Sequence, residues 1–271
     1  MNRLHLRGLR YALRERGGGA PLLALHGFTG AGDTWAAFAR RWPGTRLLAP
    51  DLLGHGRSDA PSNPRRYAMH ETVADLVALL DALGIPSCAL LGYSMGGRIA
   101  LRLARAHPGR VHTLILESAS PGIAAAPERA ARRAADAALA DRLEREGIAS
   151  FVAAWEALPL WASQAALPAP LRDRLRRQRL AQRPNGLANS LRGICAGADP
   201  PVLNTLTRYP GPLTIVTGAL DAKYTALGRT MAAAHPRARL HVVAGAGHAV
   251  HLDAPAPFAH IVRAALQEGG A

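Results

Sequence analysis

A serine flanked by glycines is the first residue whose surroundings suggest chemistry. Residues 92–96 read Gly-Tyr-Ser-Met-Gly, which places Ser94 in a Gly-x-Ser-x-Gly motif. An apolar run that predicts a strand, residues 88–91, precedes the motif, and a helical pattern follows it up to Ala106. In this strand-turn-helix context the sharp turn exposes the serine hydroxyl, and the helix N-terminus favours negative charge beside it. We therefore predict that Ser94 is catalytic.

A serine hydroxyl needs an imidazole that accepts its proton and a carboxylate that orients the imidazole. The expected chain order is serine, acid, histidine, and Asp221 and His248 each follow a predicted strand in that order. His248 ends a Gly-Ala-Gly-His run, which allows its side chain to enter a cleft. Asp221 and His248 are the predicted partners of the serine. Glu117 remains the alternative acid and His251 the alternative base.

The third requirement is a pair of backbone N–H donors for the negative oxygen that forms during reaction. One donor is the residue after the serine, Met95. The other is Phe28, in the turn that follows a predicted strand ending at His26 and Gly27. We predict that the amides of Phe28 and Met95 form an oxyanion hole.

Composition narrows the possible functions. The chain has 271 residues, of which 49% are hydrophobic and 19% charged, as is typical of one large globular domain or of one domain with an insertion. The net charge is +14, but arginines are spread along the whole chain, and only 5% of residues are aromatic. The stacking platforms of single-strand binders are therefore absent, and we expect no nucleic-acid partner.

Neither a cofactor nor a metal is expected. Cys88 and Cys195 are the only cysteines, and neither has a Cys or His neighbour at metal-binding spacing. No Gly-x-Gly-x-x-Gly fingerprint follows a predicted strand. Residues 1–20 contain no apolar signal segment, and no apolar run reaches the roughly 18 residues of a membrane-spanning helix. We expect a cytoplasmic protein without stable membrane insertion, whose oligomeric state the sequence leaves open.

Predicted strands alternate with helices on either side of one long helical segment. This alternation predicts an α/β fold, a mostly parallel sheet with helices on both faces. Residues 1–120 and 209–271 would form this core, and residues 121–208, which lack strand signals, would form a helical insertion. The four helices predicted in the insertion are residues 127–147, 148–158, 170–182 and 186–196.

The motifs together resemble the α/β-hydrolase superfamily over essentially the whole chain. They are residues 26–28 (His-Gly-Phe), 54–58 (Gly-His-Gly-Arg-Ser), 92–96, Asp221 and His248. The resemblance implies the α/β-hydrolase fold and identifies the helical insertion as similar to that superfamily's cap domain.

Four stretches resemble a narrower family, the 2-succinyl-6-hydroxy-2,4-cyclohexadiene-1-carboxylate synthases of menaquinone (vitamin K2) biosynthesis. They are residues 25–30, 50–59, 92–98 and 117–122. The resemblance implies a carbon-oxygen lyase that eliminates pyruvate from 2-succinyl-5-enolpyruvyl-6-hydroxy-3-cyclohexene-1-carboxylate, with the triad serine as base. The oxyanion hole would then hold an enolate. An enolate oxygen is stabilised by hydrogen bonds from two amides, as a tetrahedral oxyanion is.

A small substrate with three carboxylates calls for fixed cations, and the guanidinium fork suits a carboxylate. Arg98 lies one helical turn beyond the serine, on the helix face nearest to it. The resemblance adds Arg132 from the first insertion helix and Arg179 from a later one as substrate-binding residues. Arg176 and Arg183 remain alternatives to Arg179.

Lys223 is the only lysine in the chain, and it lies two residues after the predicted acid. The family's Asp-x-Lys pattern implies a contact with a substrate carboxylate or with Asp221, and a plain surface lysine is the alternative. Tyr93 and Trp155 are also substrate-binding positions by resemblance, although aromatic side chains at such places are equally often core.

Two other functions share these residues. A serine hydrolase, either an esterase or a carbon-carbon bond hydrolase, would use the same triad through an acyl-enzyme. A receptor or binding protein would keep the fold without the chemistry.

Overall fold

The computed structural model describes residues 2–268, which contain eight strands and eight α-helices. The predicted core includes Met1 and residues 269–271, and these four residues lie outside the described part of the chain. The strands are β1 Asn2–Leu6, β2 Leu9–Arg16, β3 Ala20–Leu25, β4 Thr45–Pro50, β5 Cys88–Tyr93, β6 Val111–Glu117, β7 Leu213–Gly218 and β8 Ala238–Val243. The α-helices are α1 Met69–Ala82, α2 Met95–Ala106, α3 Ala126–Glu156, α4 Ala169–Leu180, α5 Pro184–Gly193, α6 Ala222–Ala233, α7 Val250–Asp253 and α8 Pro255–Glu268. Short 3₁₀ helices lie at Gly32–Arg41, Pro64–Tyr67, Pro108–Arg110, Pro159–Ala166 and Leu203–Arg208.

All eight strands belong to one sheet, in the order β1-β2-β4-β3-β5-β6-β7-β8. β2 is antiparallel to both of its neighbours, and every other pair is parallel. Parallel neighbours require crossover connections, which the helices supply. The prediction of a mostly parallel sheet is confirmed. Because β3, β5, β7 and β8 run in one direction, their carboxyl ends meet at the same edge of the sheet.

Helices cover both faces of the sheet. Successive side chains of a strand point to opposite faces, so Leu90 packs toward α1 and α2 whereas Leu91 packs toward α8. The central strands are therefore nearly continuous apolar runs, as is typical of strands buried on both sides. This packing fixes the positions of the strand ends that carry the candidate site.

The segment between β6 and β7 contains helices α3 to α5 and no strand among its residues. α3 and α5 pack on each other around a separate apolar cluster. Within α3, Gly147 adopts φ 79° and ψ 174°, so the helix is interrupted where the sequence predicted one helix to end and another to begin. The cluster consists of Ala140, Leu143, Phe151, Val152, Leu187, Ala188 and Leu191.

None of the helices within residues 2–268 has the length and apolar character needed to cross a membrane.

Candidate active site

Ser94 lies between β5 and α2 in a backbone conformation that L-residues rarely adopt, with φ 51°. The turn brings the start of α2 against β3. A Cβ atom on Gly96 would lie 2.5 Å from the carbonyl oxygen of Leu25 and 2.6 Å from that of His26. Only glycine fits this approach. The second glycine of the motif therefore permits the turn that presents the Ser94 hydroxyl.

Three side chains from three strand ends meet in a hydrogen-bonded chain. His248 Nε2 lies 3.0 Å from Ser94 Oγ, and His248 Nδ1 lies 2.7 Å from Asp221 Oδ2. Asp221 also accepts the N–H of Tyr224, so it caps α6 and is fixed in place. Gly218 allows the two loops to approach, because a Cβ there would lie 2.2 Å from the carbonyl oxygens of residues 246 and 247. This geometry can withdraw a proton from the serine hydroxyl.

The alternative acid and base form a separate buried pair. His251 Nδ1 lies 2.8 Å from Glu117 Oε1, and the His251 N–H donates to the same oxygen at 2.9 Å. Both side chains are buried, and the pair packs beneath Tyr93 rather than against the serine hydroxyl. Glu117 and His251 are therefore positioned to stabilise the core below the site.

Hydrogen bonds fix the turn that carries Phe28. The N–H of Leu52 donates to His26 Nε2 at 3.0 Å, so the proton of this imidazole is on Nδ1, which donates to the Gly27 carbonyl at 2.8 Å. The N–H of Gly30 donates to the same carbonyl at 3.0 Å. The peptide is trans, so the Phe28 N–H points to the opposite side, and it has no acceptor among residues 2–268. Burial lowers the pKa of His26, which favours this neutral form.

Met95 carries the second of the two amides predicted to form the oxyanion hole. It is the first residue of α2, so its N–H has no acceptor within the helix. The side chain of Gln182, which lies between α4 and α5, holds the Phe28 turn from above. Its Nε2 donates to the carbonyls of Thr29 and Gly30, and its Oε1 accepts the Gly56 N–H at 2.9 Å. The turn is thus fixed from both the sheet and the insertion.

A cavity of about 820 Å³ opens over Ser94, between the sheet edge and the insertion. Ser94, His248, Phe28 and Met95 all line it. The predicted substrate-binding residues that also line it are Tyr93, Arg98, Arg132, Trp155 and Lys223. Within residues 2–268 no group of three or more His, Cys, Asp or Glu side chains could hold a metal ion.

The cations of this cavity have few partners. The partly buried Arg98 guanidinium makes no hydrogen bond or ion pair with any residue between 2 and 268. Burial lowers its pKa, yet arginine remains charged at neutral pH. Arg132 donates through Nε to Asp136 at 2.8 Å, which orients its two terminal nitrogens and leaves them without a protein acceptor in the described part of the chain. Lys223 is exposed at the rim, as is Glu128.

Comparison with known proteins identifies the family of the chain. The family model described as the alpha/beta hydrolase fold matches residues 20–255. This chain belongs to the α/β-hydrolase family. Within that family, a 2-succinyl-6-hydroxy-2,4-cyclohexadiene-1-carboxylate synthase of Serratia proteamaculans is 35% identical over 92% of this chain and 94% of its own length. A Bacillus subtilis protein that carries the same name provisionally is 39% identical over 94% of both chains.

Two solved structures of α/β-hydrolase fold illustrate two kinds of relative. MenH from S. aureus superposes with a TM-score of 0.91 and 31% identity, over 96% of this chain and 99% of its own. A thermophilic esterase from Thermogutta terrifontis, solved with malate bound, gives 0.90 and 25% identity over the full length of both chains. Overall shape therefore does not separate a synthase from an esterase, and the distinction depends on the side chains of the cavity.

The structure of this α/β-hydrolase places Arg179 differently from the prediction. Arg179 is buried, donates to Glu156 and Gln164 at 2.9 Å each, and does not line the Ser94 cavity. Its side chain instead lines a neighbouring cavity of about 590 Å³ under α4. Of the two alternative arginines, Arg176 pairs with Glu156, and Arg183 donates to the carbonyl of Ser58. None of these three arginines lines the Ser94 cavity.

Sequence reasoning missed two aromatic residues beside His248. Trp161 contacts the His248 ring edge-on with centroids 5.5 Å apart, and Tyr224 does so at 4.4 Å. Both line the cavity. The sequence around Trp161 did not indicate a site residue, because a tryptophan in a helical insertion usually packs in the core. Tyr224 directly follows Lys223, so its position in the first turn after Asp221 was the available signal.

Proposed function

We propose that this protein eliminates pyruvate from 2-succinyl-5-enolpyruvyl-6-hydroxy-3-cyclohexene-1-carboxylate and so forms 2-succinyl-6-hydroxy-2,4-cyclohexadiene-1-carboxylate. The observation that carries the proposal is the Arg98 guanidinium, which has no partner among residues 2–268 and lies in the cavity of an ordered Ser94-His248-Asp221 chain. A cation without a protein partner in such a place favours an anionic ligand. The synthase relatives are named for the product of this reaction.

The reaction starts with loss of a proton from the ring carbon next to the succinyl carbonyl. Ser94 Oγ takes this proton while His248 takes the proton of the hydroxyl, and Asp221 stabilises the imidazolium. The electron pair of the broken C–H bond moves to the carbonyl oxygen, where the amides of Phe28 and Met95 hold the enolate. No covalent bond to the serine forms.

Collapse of the enolate completes the elimination. The returning electron pair forms one ring double bond, shifts the existing one and breaks the ring C–O bond. Enolpyruvate leaves with that oxygen, takes up the proton that the site removed, and tautomerises to pyruvate. Atoms balance without water, oxidant or metal, so the site needs only a base and a pair of donors.

The remaining residues bind the substrate. In this proposal Arg98 and Arg132 hold carboxylates within the cavity, Lys223 holds one at the rim, and Tyr93 and Trp155 pack against the ring. Residues 121–208 act as a cap domain over a core formed by the rest of the chain. The protein works in the cytoplasm on a small tricarboxylate.

A serine hydrolase is the second candidate, favoured by the superposition with the Thermogutta terrifontis esterase. In a hydrolase, Ser94 would attack a carbonyl and form an acyl-enzyme. The cations of the cavity argue against this reading, because an uncharged ester would leave the partly buried Arg98 guanidinium without a partner among residues 2–268.

Incubation of the purified protein with the enolpyruvyl substrate tests the proposal. We expect pyruvate release with no Ser94 adduct in the intact mass of enzyme quenched during turnover. An activated ester serves as the comparison, since a hydrolase gives a burst and a Ser94 adduct with it. Absence of pyruvate from the parent protein would overturn the proposed function.

Replacing Arg98 with methionine should weaken the reaction mainly through substrate binding. Methionine keeps the volume and removes the charge, so we expect kcat/KM for pyruvate release to fall by roughly 10- to 100-fold, mostly as a rise in KM. Arg177→Met, on the surface of α4 and outside the Ser94 cavity, is the matched control. Equal values for Arg98→Met and the parent would remove Arg98 from the carboxylate site.

A further inference from the structure

The hydroxyl of Tyr224 is a polar group next to His248 that the mechanism above does not use. Tyr224 lies in the first turn of α6, three residues after Asp221, which caps that helix. Its ring contacts His248 edge-on, and its N–H donates to Asp221 at 3.2 Å. The backbone and the ring are therefore fixed by the triad itself, and only the hydroxyl extends beyond it.

The surroundings of this hydroxyl are cationic. Tyr224 lines the same cavity as Arg98 and Arg132. Burial raises the pKa of the phenol, and the two guanidinium groups act in the opposite direction, which places them within electrostatic reach of it. Asp136, an acid of the insertion that acts against the two guanidinium groups, is already bound to Arg132. The positive N-terminus of α6 adds to the same field.

The hydroxyl has no hydrogen-bond partner in the described part of the chain. A phenol can donate one hydrogen bond, and this half-buried hydroxyl lines the cavity, where a ligand that displaces water must supply the acceptor. Asp221, the carboxylate closest in sequence, is occupied by His248 and by the Tyr224 amide. The acceptor that fits this position is therefore supplied by a ligand, and the neighbouring guanidinium groups select an anionic one.

We propose that the Tyr224 hydroxyl donates a hydrogen bond to a carboxylate of the substrate that Arg98 and Arg132 hold, and so acts as a specificity-determining residue. This inference rests on the proposed function and extends it. Tyr224 thus has two separable parts, a ring that packs on His248 and a hydroxyl that binds substrate. Phenylalanine at this position would keep the first and lose the second.

Kinetics of Tyr224→Phe and Tyr224→Leu separate the two parts. For Tyr224→Phe we expect KM for the enolpyruvyl substrate to rise by about 10-fold with kcat close to that of the parent. For Tyr224→Leu we expect an additional fall in kcat, because His248 loses its ring contact. Tyr209→Phe, which removes a hydroxyl bound to the Pro212 carbonyl at a distance from the cavity, should match the parent.

Direct binding keeps the inference testable apart from catalysis. The probe is 2-succinylbenzoate, a stable ring that carries adjacent succinyl and carboxylate groups, titrated calorimetrically into the parent and Tyr224→Phe. We expect the dissociation constant to rise by about 10-fold in the variant. If the parent releases no pyruvate but this difference is found, the proposed function fails, whereas the contact between the Tyr224 hydroxyl and a carboxylate ligand is supported. If Tyr224→Phe matches the parent in both KM and dissociation constant, or lowers kcat alone, the inference is overturned.

Discussion

Replacing Ser94 with alanine should lower the rate of pyruvate release by about 10²- to 10⁴-fold, the range that a positioned base contributes. Alanine removes only the hydroxyl, so His248 and Asp221 keep their hydrogen bond and the two amides remain in place. The KM should change little, because the carboxylates are bound elsewhere in the cavity. Initial rates of pyruvate formation at saturating substrate measure this effect.

The control for this variant is a serine outside the cavity. Ser150→Ala, on an exposed turn of α3, should have the kinetics of the parent. Thermal unfolding of Ser94→Ala should resemble that of the parent, since the φ of 51° is no more strained for alanine than for serine. Pyruvate release at the parental rate from a folded Ser94→Ala protein would exclude this hydroxyl as the base.

The two acid–histidine pairs should respond in opposite ways to amide substitution. Asp221→Asn leaves the shape of the site intact but removes the charge that stabilises the His248 imidazolium, so we expect kcat to fall by about 10²- to 10⁴-fold with little loss of stability. Glu117→Gln disturbs the buried contact with His251, so we expect the free energy of unfolding to fall by about 1–3 kcal/mol with most of the activity retained.

Each variant serves as the control for the other, because both change one buried carboxylate next to a histidine. Pyruvate kinetics and urea unfolding are measured on the same preparations. A large loss of activity in Glu117→Gln, together with normal activity in Asp221→Asn, would mean that the second pair is the catalytic one.

Local patterns in the sequence predicted most of the fold. Strand and helix periodicity depends on near neighbours, so the alternation, the long helical segment and the break at Gly147 could all be located before the structure was known. The proximity of Ser94, His248 and Asp221 was also predictable, because each follows a strand and parallel strands end at one edge. The resemblance of the motifs to known families then restricted the expected enzymatic reactions to an elimination or a hydrolysis.

The orientation of side chains could not be predicted in the same way. Arg179 belongs to an arginine-rich helix, and only the packing of α4 decides which of its residues face Glu156 and which face a cavity. Likewise, the sequence offers two acids and two histidines after strands, and only the tertiary structure pairs them. Tyr224 was missed because its role depends on three segments far apart in the chain.

The fate of one ring hydrogen tests the central claim most directly. The substrate is labelled with deuterium on the ring carbon next to the succinyl carbonyl, and the ring product is analysed by mass spectrometry as pyruvate is counted. If Ser94 acts as a base, the ring product has lost the deuterium, contains no oxygen from water at the carbon that carried enolpyruvate, and forms in equal amount with pyruvate. A ring product that keeps the deuterium and retains its own oxygen as a hydroxyl at that carbon, with the oxygen of water in pyruvate, would contradict elimination and indicate hydrolysis of the enol ether.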